Sequence, residues 1–210
     1  MDKRFEKVLA RYKARIEKEA KIWASQTPEA QLLRRDEFLL SVGEEAARFL
    51  HALAVGRRAQ RIIELGTSYG YSTLFLADAA RQTGGKVVTF ELSAEKQSYA
   101  RKQLAEAGLA EFVEWRMGDA VALLKETAGP IDFALIDLWK ELYVTCFELL
   151  YPKLADNAIL AADNMIIPKD ARPQAEAYRR AVRAKGDLQS VLLPIGLGIE
   201  LSCLWRREPE

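Results

Sequence analysis

From Arg61 onward the chain alternates short apolar runs with amphipathic stretches, and this alternation constrains the fold more than any other feature. The order is "RIIEL", "YSTLFLADAARQT", "KVVTFEL", "AEKQSYARKQLAEAG", "FVEWRMG", "AVALLKET", "IDFALID", "ELYVTCFELLYPKL", "NAILAADN" and "RPQAEAYRRAVRAKG". Runs such as "IDFALID" read as strands, and the stretches between them space their apolar residues as helices do. Strands of this kind are buried on both faces, which requires helices on both sides of a mostly parallel sheet. "LQSVLLPIG" and "GIELSCLWR" follow with only a Gly-rich turn between them, and read as an antiparallel hairpin at the C-terminal end of that sheet. The expectation is an α/β fold with a mostly parallel seven-stranded sheet, helices on both faces and extra N-terminal helices.

Those extra helices come from residues 1–40, where Phe5, Val8, Leu9, Tyr12, Ile16, Ile22 and Trp23 recur at helical spacing among basic residues. The stretch is read as an N-terminal helical extension to a domain over 41–210, with its charges as a solvated face. A further helix, "SVGEEAARFLHALAV", ends near Gly56, which is expected to be its left-handed cap. With 50% hydrophobic and 29% charged residues in 210, disorder is excluded and a single domain with a full core is implied. A net charge of +1 creates no field to gather nucleic acid or an anionic membrane, so a small-molecule partner is favoured. No apolar run reaches bilayer length and the N-terminus lacks a signal-peptide core, so the protein is expected to be cytoplasmic. Cys146 and Cys203 read as buried thiols, and the single His51 sits in a helix whose apolar face accounts for it. Trp23, Trp115 and Trp205 read as packing residues.

In an open α/β sheet a ligand lies outside the carboxyl ends of the strands. Glu64, Glu91, Asp119, Asp137, then Asp163 with Asn164, fall at those ends one strand after another. One such acid is usually a turn former or helix cap, whereas five strand ends together mark a crevice. In the first turn, "ELGTSYGYS", Gly66 and Gly70 are four apart, so the G-x-G-x-x-G of dinucleotide sites is missing and a nicotinamide oxidoreductase is disfavoured. Glycines here still allow a sharp turn with close backbone approach to a ligand. Ser72 either caps the following helix or hydrogen-bonds a ligand carboxylate held by the helix dipole. Glu91 is placed to accept hydrogen bonds from a ribose diol.

The segments "IIELGTSYGYS", "TFELS", "MGDA", "IDFALIDLWKELY" and "LAADN", in this order and at these separations, resemble the S-adenosylmethionine-dependent, metal-dependent O-methyltransferases of the catechol and caffeoyl-CoA type. The resemblance spans about residues 40 to 205 and implies a Rossmann-like methyltransferase fold. It places Glu64, Gly66, Tyr71 and Ser72 in the turn that holds the methionine moiety, and Val42 of "SVG" in the segment closing over it. Glu91 is the implied ribose acid and Asp119 the adenine-side residue. Asp137, which also faces the cofactor, is with Asp163 and Asn164 an implied divalent-metal ligand. Lys140 is the implied catalytic base, with Trp139 and Asn164 beside it on the substrate side. Two departures stand out: Leu138 occupies a position that is polar in the animal catechol enzymes, and Glu200 is the only acid near a C-terminal substrate-gripping position.

Two carboxylates and an amide offer only hard oxygen donors, which suit Mg²⁺, or else Mn²⁺ or Ca²⁺, better than zinc. The competing readings are an Asx turn at Asp163–Asn164 and a salt bridge between Lys140 and Asp137 or Glu141. Trp139 either shields adenine or an aromatic ring or is a core aromatic. The implied reaction is methyl transfer from S-adenosyl-L-methionine to a hydroxyl of a catechol-like or hydroxylated aromatic small molecule. Its rivals are a metal-independent methyltransferase of the same fold and a non-catalytic S-adenosylmethionine-binding module. The N-terminal amphipathic helices either pack over the cofactor or form a homodimer interface.

Overall fold

The computed structural model describes residues 1–205, apart from the side chains of Pro28, Leu32, Arg35 and Asp170. Its strands are β1 (Arg61–Leu65), β2 (Lys86–Glu91), β3 (Val113–Met117), β4 (Ile131–Ile136), β5 (Leu154–Ala162), β6 (Leu188–Leu193) and β7 (Ile199–Leu204). They form one sheet in the order β3-β2-β1-β4-β5-β7-β6. Neighbours from β3 to β5 pair in parallel, while β7 runs antiparallel to both β5 and β6. The terminal hairpin is therefore present, with β7 folded back into the space between β5 and β6.

Parallel pairing requires a crossover after each strand, and helices supply it. α4 (Tyr71–Thr83), α5 (Ala94–Glu106), α6 (Ala120–Glu126), α7 (Tyr143–Leu150) and α8 (Arg172–Arg183) follow β1 to β5 in turn. They are preceded by α1 (Lys3–Ala24), α2 (Pro28–Arg34) and α3 (Glu44–Gly56). Residues of the central strands alternate between two cores, as the pleat demands. Ile62, Phe133 and Leu135 join Phe5, Tyr12, Leu50 and Phe75 on one face. Ile63, Ala134 and Ile136 join Tyr143, Phe147 and Tyr178 on the other. Each fully buried Ile or Phe side chain contributes about 1.5–3 kcal/mol of transfer free energy, so the sheet centre is held from both sides.

The apolar face of α1 buries Phe5, Val8, Leu9 and Tyr12, three or four residues apart, in the first of these cores. Asp2 starts the helix by accepting hydrogen bonds from the Arg4 and Phe5 amides. Gly56 departs from expectation. It is the last residue of α3, and the left-handed conformation falls two residues later on Arg58, at φ 56°. Cys146 is buried, but Cys203 is only partly so, and Trp205, which follows the last residue of β7, is exposed. Among the described residues no helix is long and apolar enough to cross a membrane.

The strand order reverses between β1 and β4, which makes their carboxyl ends the switch point where ligands settle. Gly66, at φ 101°, lies there so close to β4 that a Cβ would stand 2.0 Å from the Asp137 carbonyl oxygen. Gly56→Ala, with open space around it, should stabilise the protein by about 0.4–1 kcal/mol. Gly66→Ala should cost about 3 kcal/mol or more and lower the melting temperature by roughly 6–12 °C. Equal melting temperatures for the two variants, measured by calorimetry, would contradict this account of the turn.

Candidate active site

Backbone hydrogen bonds carry the strand ends into register one after another. Gly118 N donates to Glu91 O at 2.9 Å, Gly66 N and Thr67 N to Phe90 O at 3.1 and 3.0 Å, Asp137 N to Leu65 O at 2.9 Å, and Asp163 N to Ile136 O at 3.1 Å. The ladder thus extends one residue past each strand, and the acids after β4 and β5 sit side by side at its rim.

At the first turn Glu64 is fully buried and takes three hydroxyl donors. Ser72 Oγ, Thr73 Oγ1 and Thr89 Oγ1 each lie 2.6 Å from its carboxylate, and Thr67 Oγ1 adds a second layer 2.5 Å from Thr89 Oγ1. Thr89 is the residue opposite Glu64 in the β1–β2 register, and Ser72 and Thr73 come from the first turn of α4. Ser72 therefore does not cap α4; Gly70, at φ 88°, occupies that position without a side-chain bond. Burial pushes the Glu64 carboxyl up to about 7, with the three hydroxyls resisting the shift. Tyr71 is buried against Tyr12, ring centroids 5.6 Å apart, and burial raises its phenol to about 12.

Glu91 accepts from three backbone amides: Ser68 at 2.7 Å, Leu92 at 2.9 Å and Ser93 at 2.8 Å. It thereby ties the end of β2 to the glycine turn, where Ser68 holds a left-handed φ of 48°. Asp119 is exposed and caps α6 through the Ala122 amide at 2.9 Å. Beside Glu91 the apolar Leu92 and Met117 stand 73% and 58% exposed, on adjacent strand ends. In the sequence their only signal is an apolar residue placed where a strand leaves the core. Val42 is buried and its carbonyl lies against Gly196, so the segment before α3 meets the β6–β7 turn.

The third cluster follows β4 and β5. Both carboxylate oxygens of Asp163 are buried and have no hydrogen-bond partner. Burial pushes this carboxyl up to about 6; the Asn164 N–H, near but outside hydrogen-bond geometry, and the Lys140 ammonium temper the shift. Asp137 is held well above the usual carboxylate range by burial and by the Asp163 charge, with Lys140 opposing. Lys140 Nζ donates to the Asp163 carbonyl at 2.6 Å and lies 3.6 Å above the Tyr143 ring centroid, and Tyr143 Oη donates to the same carbonyl at 3.1 Å. Burial lowers the ammonium to about 8. Asp137 and Glu141 act on Lys140 as nearby charges, while its hydrogen bond goes to the Asp163 carbonyl. Asn164 holds a left-handed φ of 55°, a conformation that asparagine tolerates better than most residues.

A buried carboxylate with both oxygens unpartnered, next to a second carboxylate, is costly as an ion unless a cation joins it. Among the described residues no three His, Cys, Asp or Glu side chains form a metal-holding group; Asn164, next in the chain after Asp163, adds an amide oxygen to the two carboxylates. The donor set therefore fits a hard divalent cation. Trp139, between Asp137 and Lys140 in the chain, is 44% exposed, which removes the core reading. Leu138 packs into the second core. Glu200 is fully buried on the α8 side, where Ser190 Oγ at 2.6 Å and Arg179 and Arg183 at 3.0 and 3.3 Å hold it away from the cluster. His51 bonds to Asp78 at 2.9 Å, far along α4 from the strand ends.

A methyltransferase domain model matches residues 63–165. A catechol O-methyltransferase of Mycobacterium tuberculosis is 32% identical over 154 residues, covering 70% of each chain. A catechol O-methyltransferase of Niastella koreensis is 34% identical over 60% of this chain, and the match spans 59% of that protein's length. The solved structure of the O-methyltransferase TomG from Streptomyces achromogenes, in complex with SAM, superposes with a TM-score of 0.76. It covers 98% of this chain and 91% of that one at 24% identity, which establishes a shared fold. The chain belongs to the S-adenosylmethionine-dependent O-methyltransferase family of the catechol and caffeoyl-CoA type.

The raised Glu64 carboxyl has a consequence for stability. Between its unfolded value near 4.5 and its folded value of about 7 the native state binds the extra proton, so stability present below 4.5 is lost as pH rises to 7. Glu64→Gln removes the linkage. Chemical denaturation at pH 4.5 and 7.5 should show the wild type losing up to about 3 kcal/mol relative to this variant. A relative gain over that interval would have the wrong sign.

Proposed function

We propose that the protein is a divalent-metal-dependent O-methyltransferase, with Mg²⁺ as the preferred ion, acting on a hydroxyl of a catechol-like or hydroxylated aromatic small molecule. The observation that carries the reading is the Asp163 carboxylate, buried with both oxygens unpartnered, beside Asp137 and under the Lys140 amine. Family membership supports S-adenosyl-L-methionine as the methyl donor.

In this reading Gly66, Tyr71, Ser72 and Glu64 shape the bed of the methionine end, Ser72 being oriented by Glu64, and Val42 lies in the segment that covers it. Glu91 offers its carboxylate to the ribose hydroxyls. Leu92 and Met117 provide apolar walls for a flat base, with Asp119 at its edge. Asp137, Asp163 and Asn164 would hold the cation, which when bound would supply Lewis-acid charge that favours the ionised form of a phenol. Bound S-adenosyl-L-methionine supplies a methyl group on a positively charged sulfur. Lys140, with its ammonium lowered to about 8, has a free amine fraction near neutral pH and accepts the hydroxyl proton. The Asp163 carbonyl and the Tyr143 ring hold Nζ in place. The exposed face of Trp139 flanks an aromatic acceptor and keeps water from it.

Labelled S-adenosyl-L-methionine offered with a panel of catechols should give methyl ethers that vanish with EDTA and return with Mg²⁺. Turnover that ignores the chelator would favour the metal-independent enzyme of the same fold. Lys140→Ala should lower kcat by about 10²–10⁴-fold while leaving cofactor affinity unchanged, as expected for loss of a general base. A rate equal to the wild type would remove Lys140 from that role.

A further inference from the structure

Helix α1 reaches the glycine turn with polar groups that core filling does not require. Tyr12 is fully buried, yet its hydroxyl donates to the Tyr69 carbonyl at 2.6 Å. Tyr69 stands between two residues with left-handed backbone, Ser68 at φ 48° and Gly70 at φ 88°, so the orientation of its peptide sets the shape of the turn. Gly70 has no slack either: a Cβ there would lie 2.7 Å from Ala100 Cβ of α5 and 3.2 Å from Tyr12 Oη.

One turn further along α1, the Arg15 guanidinium lies 3.8 Å above the Tyr69 ring and 4.9 Å from the Tyr99 ring, and the two rings meet edge to face at 5.5 Å. Arg15 Nε donates to Glu19 Oε1 at 2.6 Å, and Glu19 Oε2 accepts from the Leu39 amide at 2.6 Å. The Tyr69 hydroxyl donates to the Glu37 carbonyl at 3.3 Å, and Lys96 of α5 pairs with Asp36 at 2.7 Å. A single helix thus bonds to the backbone of the turn and, through Glu19, to the backbone of the segment that leads into Val42. Tyr69 touches both.

We infer that Tyr12 and Arg15 are positioning residues for the methyl donor. Tyr12 orients the Tyr69 peptide, and the Arg15–Glu19 pair locks residues 37–39 to the turn, so that the bed of the cofactor and the segment over it are held as one unit. The inference rests on the proposed binding of S-adenosyl-L-methionine at this turn. It makes the N-terminal helix part of the cofactor site, although none of its side chains need touch the ligand. The expected signature is weaker binding with an intact reaction, because the turn holds the donor and Lys140 lies at another strand end.

The test is calorimetric titration of the full-length protein with S-adenosyl-L-methionine, alongside melting temperatures and steady-state rates. Tyr12→Phe keeps the ring and deletes the hydroxyl; it should weaken binding and raise KM for the donor by ~10-fold, the effect of one buried acceptor left unpaired. Its kcat at saturating donor should remain that of the wild type. Arg15→Met, which keeps the aliphatic stem, should act in the same direction. Val8→Ala, on the same buried face of α1 but without a polar link to the turn, should lower the melting temperature and leave donor affinity unchanged. Wild-type affinity in Tyr12→Phe would overturn the inference, as would an equal loss of affinity in Val8→Ala, since general loosening would then suffice. A wild-type protein that fails to bind the donor would instead overturn the proposed function itself.

Discussion

The space between Gly66 and the Asp137 carbonyl does not admit one carbon atom. That closeness lets β1 and β4 run side by side to their last residues and beyond, with Asp137 N still bonded to Leu65 O. Everything at the rim follows from it. The glycine turn leaves β1 at the point where the strand order reverses, and Asp137 emerges beside Asp163 because β5 repeats the same offset against β4. A side chain at residue 66 would part the strands and scatter the acids they carry.

The acids along this rim have the same chemistry and different surroundings. Glu64 is saturated by hydroxyl donors, and Glu91 by peptide N–H groups. Asp163 is as buried as Glu64 and has no donor on either oxygen. A satisfied buried carboxylate organises the protein around it, whereas an unsatisfied one is a place where a cation would lower the free energy. This contrast separates the carboxylates that shape the turn from the one left without a donor, although all of them end a strand. Lys140 lies beside that carboxylate. Burial weakens its hold on a proton, and the Asp163 carbonyl and Tyr143 fix its direction.

Much of the fold was legible before any coordinates. The alternation from "RIIEL" to "RPQAEAYRRAVRAKG" corresponds to strands and helices in the order expected, because a strand covered on both faces must be apolar throughout. The end of α3 differs from the expectation, since glycine is only the commonest residue for a left-handed cap and Arg58 adopts that conformation here. At the site, the strand-end acids could be found one by one from their positions. Their partners could not: Thr89 joins Glu64 through sheet register, and Ser72 and Thr73 through the first turn of a helix. Leu92 and Met117 are not distinguishable in the sequence from core residues, because an apolar residue at a strand end looks like more core until its exposure is known.

By itself, then, the sequence determined the layered α/β architecture, the strand-end placement of the acids and the likeness to a methyltransferase family, because these depend on local periodicity and on short motifs. Only the tertiary structure decided which carboxylates are spoken for and which are bare, that Glu200 turns toward α8, and that the first helix bonds to the glycine turn. Those outcomes depend on contacts between residues tens of positions apart, such as Tyr12 with Tyr69 and Lys140 with Asp163, and no local pattern encodes them.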